Sequence, residues 1–167
     1  MPVVWSVLGL VIFVAAIRAA RSPQALRVGR WAVGTLYIGA GAGVNAWYLA
    51  RGDDYGGFAD GSQFAFVRET WRSVVAPDQV FFISLLIAFE LAVGALVLSG
   101  DRRAELGLLG AIGFHIALLS FGWAFALWSV PMLLAFALLL RAQRLEDPHP
   151  RSRRLRPTRP GPTVRHA

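Results

Sequence analysis

The feature that most constrains this chain is a set of four apolar runs that contain almost no charged residue. They cover residues 1–17, 31–50, 80–99 and 106–140. A helix needs about 20 apolar residues to cross the roughly 30 Å hydrocarbon core of a bilayer. The first run is barely long enough, the second and third are of ideal length, and the last is too long for one crossing. The sequence therefore predicts an all-α transmembrane helical bundle.

The composition supports a membrane protein. Of the 167 residues, 56% are hydrophobic and only 16% are charged, and the mean hydropathy is +0.52. This balance lies outside the range of soluble globular proteins. The chain contains no cysteine, and all 17 of its basic residues are arginine. Disulfides, iron–sulfur clusters, thiolate nucleophiles and lysine Schiff bases are therefore excluded as the basis of its function.

The charges between the apolar runs predict an orientation. The segment at residues 18–30 holds four arginines and no acid, whereas residues 51–79 hold three arginines and five acids. By the positive-inside rule the first segment is cytoplasmic and the second is outside. The turn at residues 100–105, which contains an arginine pair, and the tail at residues 141–167, which contains eight arginines, are also expected inside.

An inside turn followed by an inside tail requires an even number of crossings between them. Residues 106–140 are therefore predicted to fold as a hairpin that breaks near Ser120–Trp123, where Gly122 permits a turn. We expect five spans in a bacterial plasma membrane, with the N-terminus outside and the C-terminus cytoplasmic. A cleaved signal peptide is the alternative for residues 1–17, but the arginines follow this apolar run instead of preceding it, as in a reverse signal-anchor.

The outer loop and the tail are predicted to differ in order. Residues 61–75 form an interfacial helix, with Asp60 as its N-cap and with Phe64 and Trp71 on one apolar face. This helix lies on the outer leaflet or roofs the bundle. Residues 141–167 combine eight arginines with five prolines, which predicts a disordered cytoplasmic tail.

The arginine-rich tail suggests one partner and argues against another. Each arginine near the surface of an anionic bilayer contributes about 1 kcal/mol of attraction, so the tail is expected to bind anionic lipids. The alternative is a solvated tail that only sets orientation. No aromatic residue is interleaved with the arginines of residues 141–167, so no nucleic-acid partner is predicted.

Two strongly ionisable side chains, Glu90 and His115, lie deep in the predicted spans. Such groups are costly in hydrocarbon and usually face the bundle interior with a partner. Both are equally distant in sequence from the centre of the turn at residues 100–105, so an antiparallel hairpin places them at the same depth. We predict that they touch. They then form a structural pair or a proton-accepting or ligand-binding pair; two separate positions are the remaining alternative.

The second span adds two further candidate ligand or proton-site residues, Tyr37 and Asn45. Asn45 is an amide that needs a hydrogen-bond partner in a dry environment. Gly39 and Gly43 form a G-x-x-x-G pair, a signature of tight helix packing. Because His115 is the one histidine within the spans, a bis-His haem or a His-rich metal cluster is excluded, and no metal is predicted. A quinone is a compatible cofactor, since its carbonyls need only hydrogen-bond donors and aromatic walls.

Two stretches carry glycine-spaced motifs. The first begins at Arg30 and ends in Gly-Val-Asn-Ala-Trp at residues 43–47, and the second is residues 89–98, followed by a Gly-Asp-Arg-Arg turn. In these motifs the chain resembles the DoxX-like family of small integral membrane proteins over residues 30–140. The resemblance implies a four-helix core at residues 31–140, with residues 1–17 as an additional span.

The resemblance also implies a function class, because some DoxX-like proteins are subunits of quinone-linked oxidoreductases. The first hypothesis is therefore a small membrane subunit associated with a quinone and an oxidoreductase partner protein. The second is a non-enzymatic structural or assembly protein whose Glu90 and His115 hold helices together. A transporter ranks last, because the sequence shows no inverted repeat or broken helix. No catalytic residue or substrate is assigned.

Overall fold

Residues 2–146, which the computed structural model describes, fold into six helices and contain no strand. The second and third helices each include a π-helical segment, and the fifth ends in a 3-10 turn. The helices are α1 (Pro2–Ala19), α2 (Pro23–Thr35, continued by Leu36–Gly43 and Val44–Ala50), α3 (Ala65–Thr70, continued by Trp71–Val75), α4 (Gln79–Ser99), α5 (Asp101–Leu118, continued by Leu119–Phe121) and α6 (Trp123–Glu146).

Three of these helices are long and apolar enough to cross a membrane. They span Gln79–Ser99, Asp101–Phe121 and Trp123–Glu146, and Val3–Ala19 is a shorter apolar helix. The all-α class is confirmed, and the lengths and compositions are those of an integral membrane protein.

The last apolar run folds as two helices that break where the sequence predicts. α5 closes in the 3-10 turn Leu119–Phe121, and α6 starts at Trp123. Gly122 between them has φ 122°, a conformation that side chains with a Cβ rarely adopt. α5 and α6 pack against each other, so the predicted hairpin is confirmed.

The second predicted span is the central part of a longer helix. Ser22 caps α2 by accepting a hydrogen bond from the Ala25 N–H, and Pro23 occupies the first turn, which favours a helix start there. The helix then widens into the π-helical segment Leu36–Gly43. Such segments are rare and occur frequently at functional sites. Hydrophobic periodicity alone does not reveal this segment.

α1 is part of the same core as the other helices. Ile12 and Ala16 of α1 are buried in one hydrophobic cluster with Val33 of α2 and Leu139 of α6. The first apolar segment, expected as an addition to the core at residues 31–140, thus shares one hydrophobic cluster with that core. A short apolar helix reaches this position because alanines on one face let it lie close to its neighbours.

The loop helix begins later than predicted. α3 starts at Ala65, with Phe64 at the N-cap and no side-chain cap. Asp60, the predicted cap, instead pairs with Arg72 at 2.7 Å between Oδ1 and Nη2. Ser62 holds the intervening chain, since its hydroxyl donates to the Ser120 carbonyl. The loop is thereby fixed to the turn between α5 and α6 and forms a roof over the bundle.

The tail prediction is wrong for its first residues, because Arg141–Glu146 continue α6. Ala142 and Gln143 are buried there, and Arg144 Nε lies 3.3 Å from Glu105 Oε2. The arginines do not end the helix, because residues 141–146 bury one of its faces and Arg144 pairs with Glu105. The rest of the predicted disordered tail, residues 147–167, lies outside the described residues.

The bundle has two differently packed halves. In the half that contains the Gly100 turn, here called the turn-side half, a Cβ added to Gly34 would lie 2.6 Å from Leu98 Cγ, and one added to Gly107 would lie 2.6 Å from Val97 Cγ2. Glycines therefore permit close helix contact there. Arg30 donates hydrogen bonds to the carbonyl oxygens of Val97 and Leu98, which lack helical partners at the C-terminus of α4. The opposite half, beneath the loop roof, is called the loop-side half.

Candidate functional site

The loop-side half encloses a cavity of about 160 Å³. Its walls come from all five long helices and from the roof, and they are mainly apolar and aromatic. The lining residues are Trp5, Leu36, Tyr37, Gly41, Asn45, Tyr55, Phe58, Trp71, Ile83, Leu86, Glu90, Phe114, His115, Leu118, Phe125 and Trp128. An apolar cavity with a few convergent polar groups is the usual form of a small-molecule site.

The first polar pair of the cavity joins α2 to α4. Asn45 Nδ2 donates to Glu90 Oε2 at 2.9 Å, and the Glu90 side chain is 4% exposed. Glu90 also lies directly against the α2 backbone, since a Cβ added to Gly41 would be 2.6 Å from Oε1. The half-buried Asn45 amide thus has a hydrogen-bond partner, and Gly41 leaves the space for the carboxyl group.

The second polar pair joins α2 to α5. The Tyr37 hydroxyl lies 3.2 Å from His115 Nδ1, which is also 3.0 Å from the Ala111 carbonyl oxygen. His115 is 3% exposed and contacts the Phe136 ring edge-on, with 5.0 Å between ring centroids. Its other nitrogen, Nε2, is buried and has no hydrogen-bond partner within residues 2–146. Because Nε2 is sealed from the cavity, the His115 ring lines the cavity through its other atoms.

Glu90 and His115 do not share the hydrogen bond that the sequence predicts. Both side chains line the same cavity, but Glu90 bonds Asn45 of α2, whereas His115 bonds Tyr37 of α2 and the Ala111 carbonyl of its own helix. The α4 face that carries Glu90 turns toward α2, as Gly94 shows: a Cβ added to it would lie 2.5 Å from Ile38 Cγ1. Sequence spacing along one hairpin does not take account of a third helix that packs against both of its members.

The four residues predicted as ligand or proton sites therefore meet at one cavity. Tyr37, Asn45, Glu90 and His115 all line it, as two pairs instead of the one expected pair. Among the described residues no group of three or more His, Cys, Asp or Glu side chains is arranged to hold a metal ion.

Tyr55 is a site residue that the sequence analysis missed. Its hydroxyl donates to Asn45, at 3.3 Å from both the backbone oxygen and Oδ1. Its backbone N–H donates to Gln79 Oε1, and its carbonyl accepts from Trp71 Nε1. Partial burial, followed by the nearby charge of Asp53, raises the pKa of Tyr55 above its ordinary value. The sequence offered one sign of its role, since Tyr55 is an aromatic residue next to charged and glycine residues of the loop.

The roof is aromatic and closes the cavity from the loop side. Phe58 stacks on Trp71 with 5.1 Å between ring centroids, and Trp71 meets Phe121 edge-on at 5.5 Å. The predicted apolar face of the loop helix thus covers the bundle through Trp71.

The G-x-x-x-G pair makes no close contact within the described chain. Gly39 and Gly43 are exposed, and nothing lies within 4 Å of a Cβ added to Gly39. Close contacts are made instead by Gly34 and Gly41, which face α4.

Comparisons with known proteins returned no match: no family model fits the chain, and neither a curated protein nor a solved structure is similar to it. The resemblance to DoxX-like proteins stays a hypothesis, and functional inference depends on the cavity.

Proposed function

We propose that this protein is a small integral membrane subunit, similar to DoxX-like proteins, that binds a quinone ring in the loop-side cavity and acts with an oxidoreductase partner. The observation that carries the proposal is the cavity itself, in which aromatic walls surround two polar pairs at membrane depth. A purely structural role for Glu90 and His115 does not require a ring-sized space beside them.

The dimensions of the cavity suit one six-membered ring. An apolar protein cavity of about 150 Å³ binds benzene, and this one measures about 160 Å³. The aromatic side chains of Phe114 and Phe125 offer stacking or edge contacts to a ring. A quinone head group of this size therefore fits.

The polar pairs suit the protons that accompany quinone chemistry. Glu90 and His115 exchange protons as carboxyl and imidazole groups, and Asn45 and Tyr37 hold them in place from α2. The sequence has no cysteine, and His115 alone cannot provide two axial haem ligands. Electrons would therefore pass between the quinone and a partner protein.

We propose five spans in a bacterial plasma membrane, with α1 and α2 joining the three longer apolar helices. The arginine-rich segment at residues 18–30 and the acidic loop at residues 51–79 support an outside N-terminus and an inside C-terminus. Reporter fusions at Ala167 and in the loop test this topology. A C-terminus on the outside would contradict it.

A structural role is the second candidate. The two polar pairs connect α2 to α4 and α5, and such interhelical hydrogen bonds stabilise membrane bundles by about 1 kcal/mol each. This role accounts for the pairs but leaves the cavity without a purpose.

The quinone proposal is tested by filling the cavity without touching its polar groups. Leu86 lines the cavity, whereas the adjacent Leu85 is 53% exposed on the outer face of α4. Leu86→Trp should weaken methyl-1,4-benzoquinone binding at least about tenfold, because the indole takes the ring's space, and Leu85→Trp should leave it unchanged. Calorimetry in lipid nanodiscs, with empty nanodiscs subtracted, measures both.

Absence of saturable binding by the wild-type protein would overturn the quinone proposal. Equal binding by the Leu86→Trp and Leu85→Trp variants would place any bound quinone elsewhere. Protein purified from its native membrane should also retain quinone or an oxidoreductase partner, and clean protein without either would favour the structural role.

A further inference from the structure

A groove of about 500 Å³ lies between α1 and α2 on the surface of the bundle. Along α1 it extends from Leu10 to Arg18, a distance of about 12 Å at a rise of about 1.5 Å per residue. Between these residues the walls are apolar, and the wall residues Val14 of α1 and Val28 of α2 are 42% and 46% exposed. The groove is therefore open to the surroundings of the bundle.

The end of the groove beside the turn between α1 and α2 is polar. Arg18 lies four residues after Val14, so the two side chains share one face of α1. Ser22 and Gln24, at the start of α2, line the same groove. The Ser22 oxygen accepts a hydrogen bond from the Ala25 N–H, which leaves the Ser22 O–H available as a donor. This end therefore places hydrogen-bond donors beside an apolar surface.

The charge at the polar end is positive and is not balanced within the described residues. Residues 18–30 hold four arginines and no acid. Arg30 donates to carbonyl oxygens of α4, and the ion pairs within residues 2–146 involve none of Arg18, Arg21 and Arg27. An anion is complementary to this end, and guanidinium groups bind phosphate oxygens through charge-assisted hydrogen bonds.

A ligand of the groove must suit both its polar end and its apolar walls. A soluble anion would leave the walls uncovered, and a neutral hydrocarbon chain would leave the donors unused. An anionic phospholipid carries a phosphate next to acyl chains and so matches both. Arg18 also lies at the end of the apolar helix Val3–Ala19, where long basic side chains reach the lipid headgroups.

We infer that the groove between α1 and α2 binds one anionic phospholipid, with the lipid phosphate at Arg18 and an acyl chain along Val14 and Val28. The proposed topology places this end of the hairpin on the cytoplasmic side, whose leaflet carries anionic lipid. The site does not depend on the proposed quinone site, because no residue lines both the groove and the loop-side cavity. It also differs from the lipid attraction predicted for the arginine-rich tail.

Native mass spectrometry of the full chain, released from detergent, counts the lipids that each molecule retains. The probes are phosphatidylglycerol and phosphatidylcholine with identical acyl chains, because the choline cation cancels the phosphate charge. The wild-type protein should bind one phosphatidylglycerol about tenfold more tightly than phosphatidylcholine, the value of about one hydrogen bond to a charged group. Equal affinities, or no saturable lipid, would overturn the inference, and this comparison requires no variant to fold.

Two arginine variants locate the lipid phosphate. Arg18→Gln should lower the affinity for phosphatidylglycerol about tenfold and the affinity for phosphatidylcholine by less. Arg102→Gln removes the same charge from an exposed position at the start of α5 that does not line the groove, and it should leave both affinities unchanged. Equal losses in the two variants would show attraction to net charge alone and would contradict the site.

Two tryptophan variants locate the acyl chain. Val14→Trp should weaken the binding of both lipids at least about threefold, because the indole takes the space of the chain and its dispersion contacts. Ile17→Trp is the matched control, since Ile17 is 59% exposed on the same helix but does not line the groove. Unchanged lipid binding by Val14→Trp would place the lipid elsewhere.

Three further results would assign the groove or the lipid differently and would overturn the inference. If changing the six arginines of residues 151–165 to Gln abolishes the preference for phosphatidylglycerol, the tail is the lipid-binding segment. If soluble glycerol phosphate binds as tightly as phosphatidylglycerol, the apolar walls have no part in binding. If a dimer forms without lipid and Val14→Trp disrupts it, a second copy of the chain occupies the groove.

Discussion

The turn-side and loop-side halves of the bundle contain the same helices but differ in whether a cavity lies between them. At Gly34 and Gly107 the turn-side helices approach until no space is left for a methyl group. In the loop-side half the helices also make close contacts, as at Gly41 against Glu90, but they surround a cavity of about 160 Å³. The transition lies along the π-helical segment Leu36–Gly43 of α2, which contributes Tyr37 to the cavity.

The two halves can therefore serve different purposes, one structural and one in ligand binding. Close packing of small residues holds the helices in a fixed arrangement, because membrane helices associate through shape and hydrogen bonds rather than hydrophobic burial. The fixed half positions the open half, so the polar pairs of the cavity keep their geometry when no ligand is present. We therefore expect the stability of the bundle to depend mainly on the turn-side half and ligand binding to depend on the loop-side half.

The largest effect is expected from overfilling the turn-side half. Gly107→Leu places a side chain where Val97 already lies, with the Val97 nitrogen 2.7 Å from the added Cβ, and it should cost about 1–3 kcal/mol or prevent folding. Gly113 is the matched control on the same helix, because nothing lies within 4 Å of its added Cβ. Thermal unfolding in detergent measures the stability of Gly107→Leu and of Gly113→Leu. Equal losses of stability would show that the close contact at Gly107 is unimportant.

A smaller effect on stability is expected at the Asn45–Glu90 pair of the loop-side half. Glu90→Leu leaves the Asn45 donor unpaired and should cost about 1 kcal/mol. Glu90→Gln keeps an acceptor and should be nearly neutral in stability. If the carboxyl group serves quinone chemistry, Glu90→Gln should nonetheless abolish quinone-linked activity in a folded protein. Full activity of the Gln variant would restrict Glu90 to a structural role.

The smallest effect is a pH dependence at the roof. Partial burial and then the charge of Asp53 raise the pKa of Tyr55 above 10.0 in the folded protein, so its neutral form is favoured by folding. The contribution of Tyr55 to the free energy of unfolding is therefore present below pH 10. It is lost as the pH rises further, because Tyr55 ionises first in the unfolded chain.

The stability difference between wild type and Tyr55→Phe should therefore shrink above pH 10. Tyr37 and Tyr48 are present in both proteins, so their contributions to the difference cancel. Melting temperatures at a series of alkaline pH values measure the difference, and a gap that widens with pH would contradict the assignment.

Some of this structure follows from the sequence because it depends on local chemistry. The break at Gly122 was predictable from a glycine within an apolar run too long for one crossing and from the arginines on either side of that run. The polar residues Asn45, Glu90 and His115 stand out because so few polar groups occur within the spans.

The rest depends on contacts between distant parts of the chain. The partner of Glu90 is set by how α2 lies against α4, and the π-helical segment that carries Tyr37 leaves no periodic signal. The burial of α1 and the roof function of Trp71 likewise arise from tertiary packing. Sequence spacing gives the depth of a residue in a span but does not determine which neighbour it faces.

The most direct test is a crystal structure with bromohydroquinone, whose bromine is located by anomalous scattering. If the loop-side cavity is the ligand site, a single strong bromine peak is expected inside it, among the aromatic walls and the two polar pairs. A cavity without a peak at ligand concentrations that saturate binding, or a peak on the outer surface of the bundle, would contradict the account.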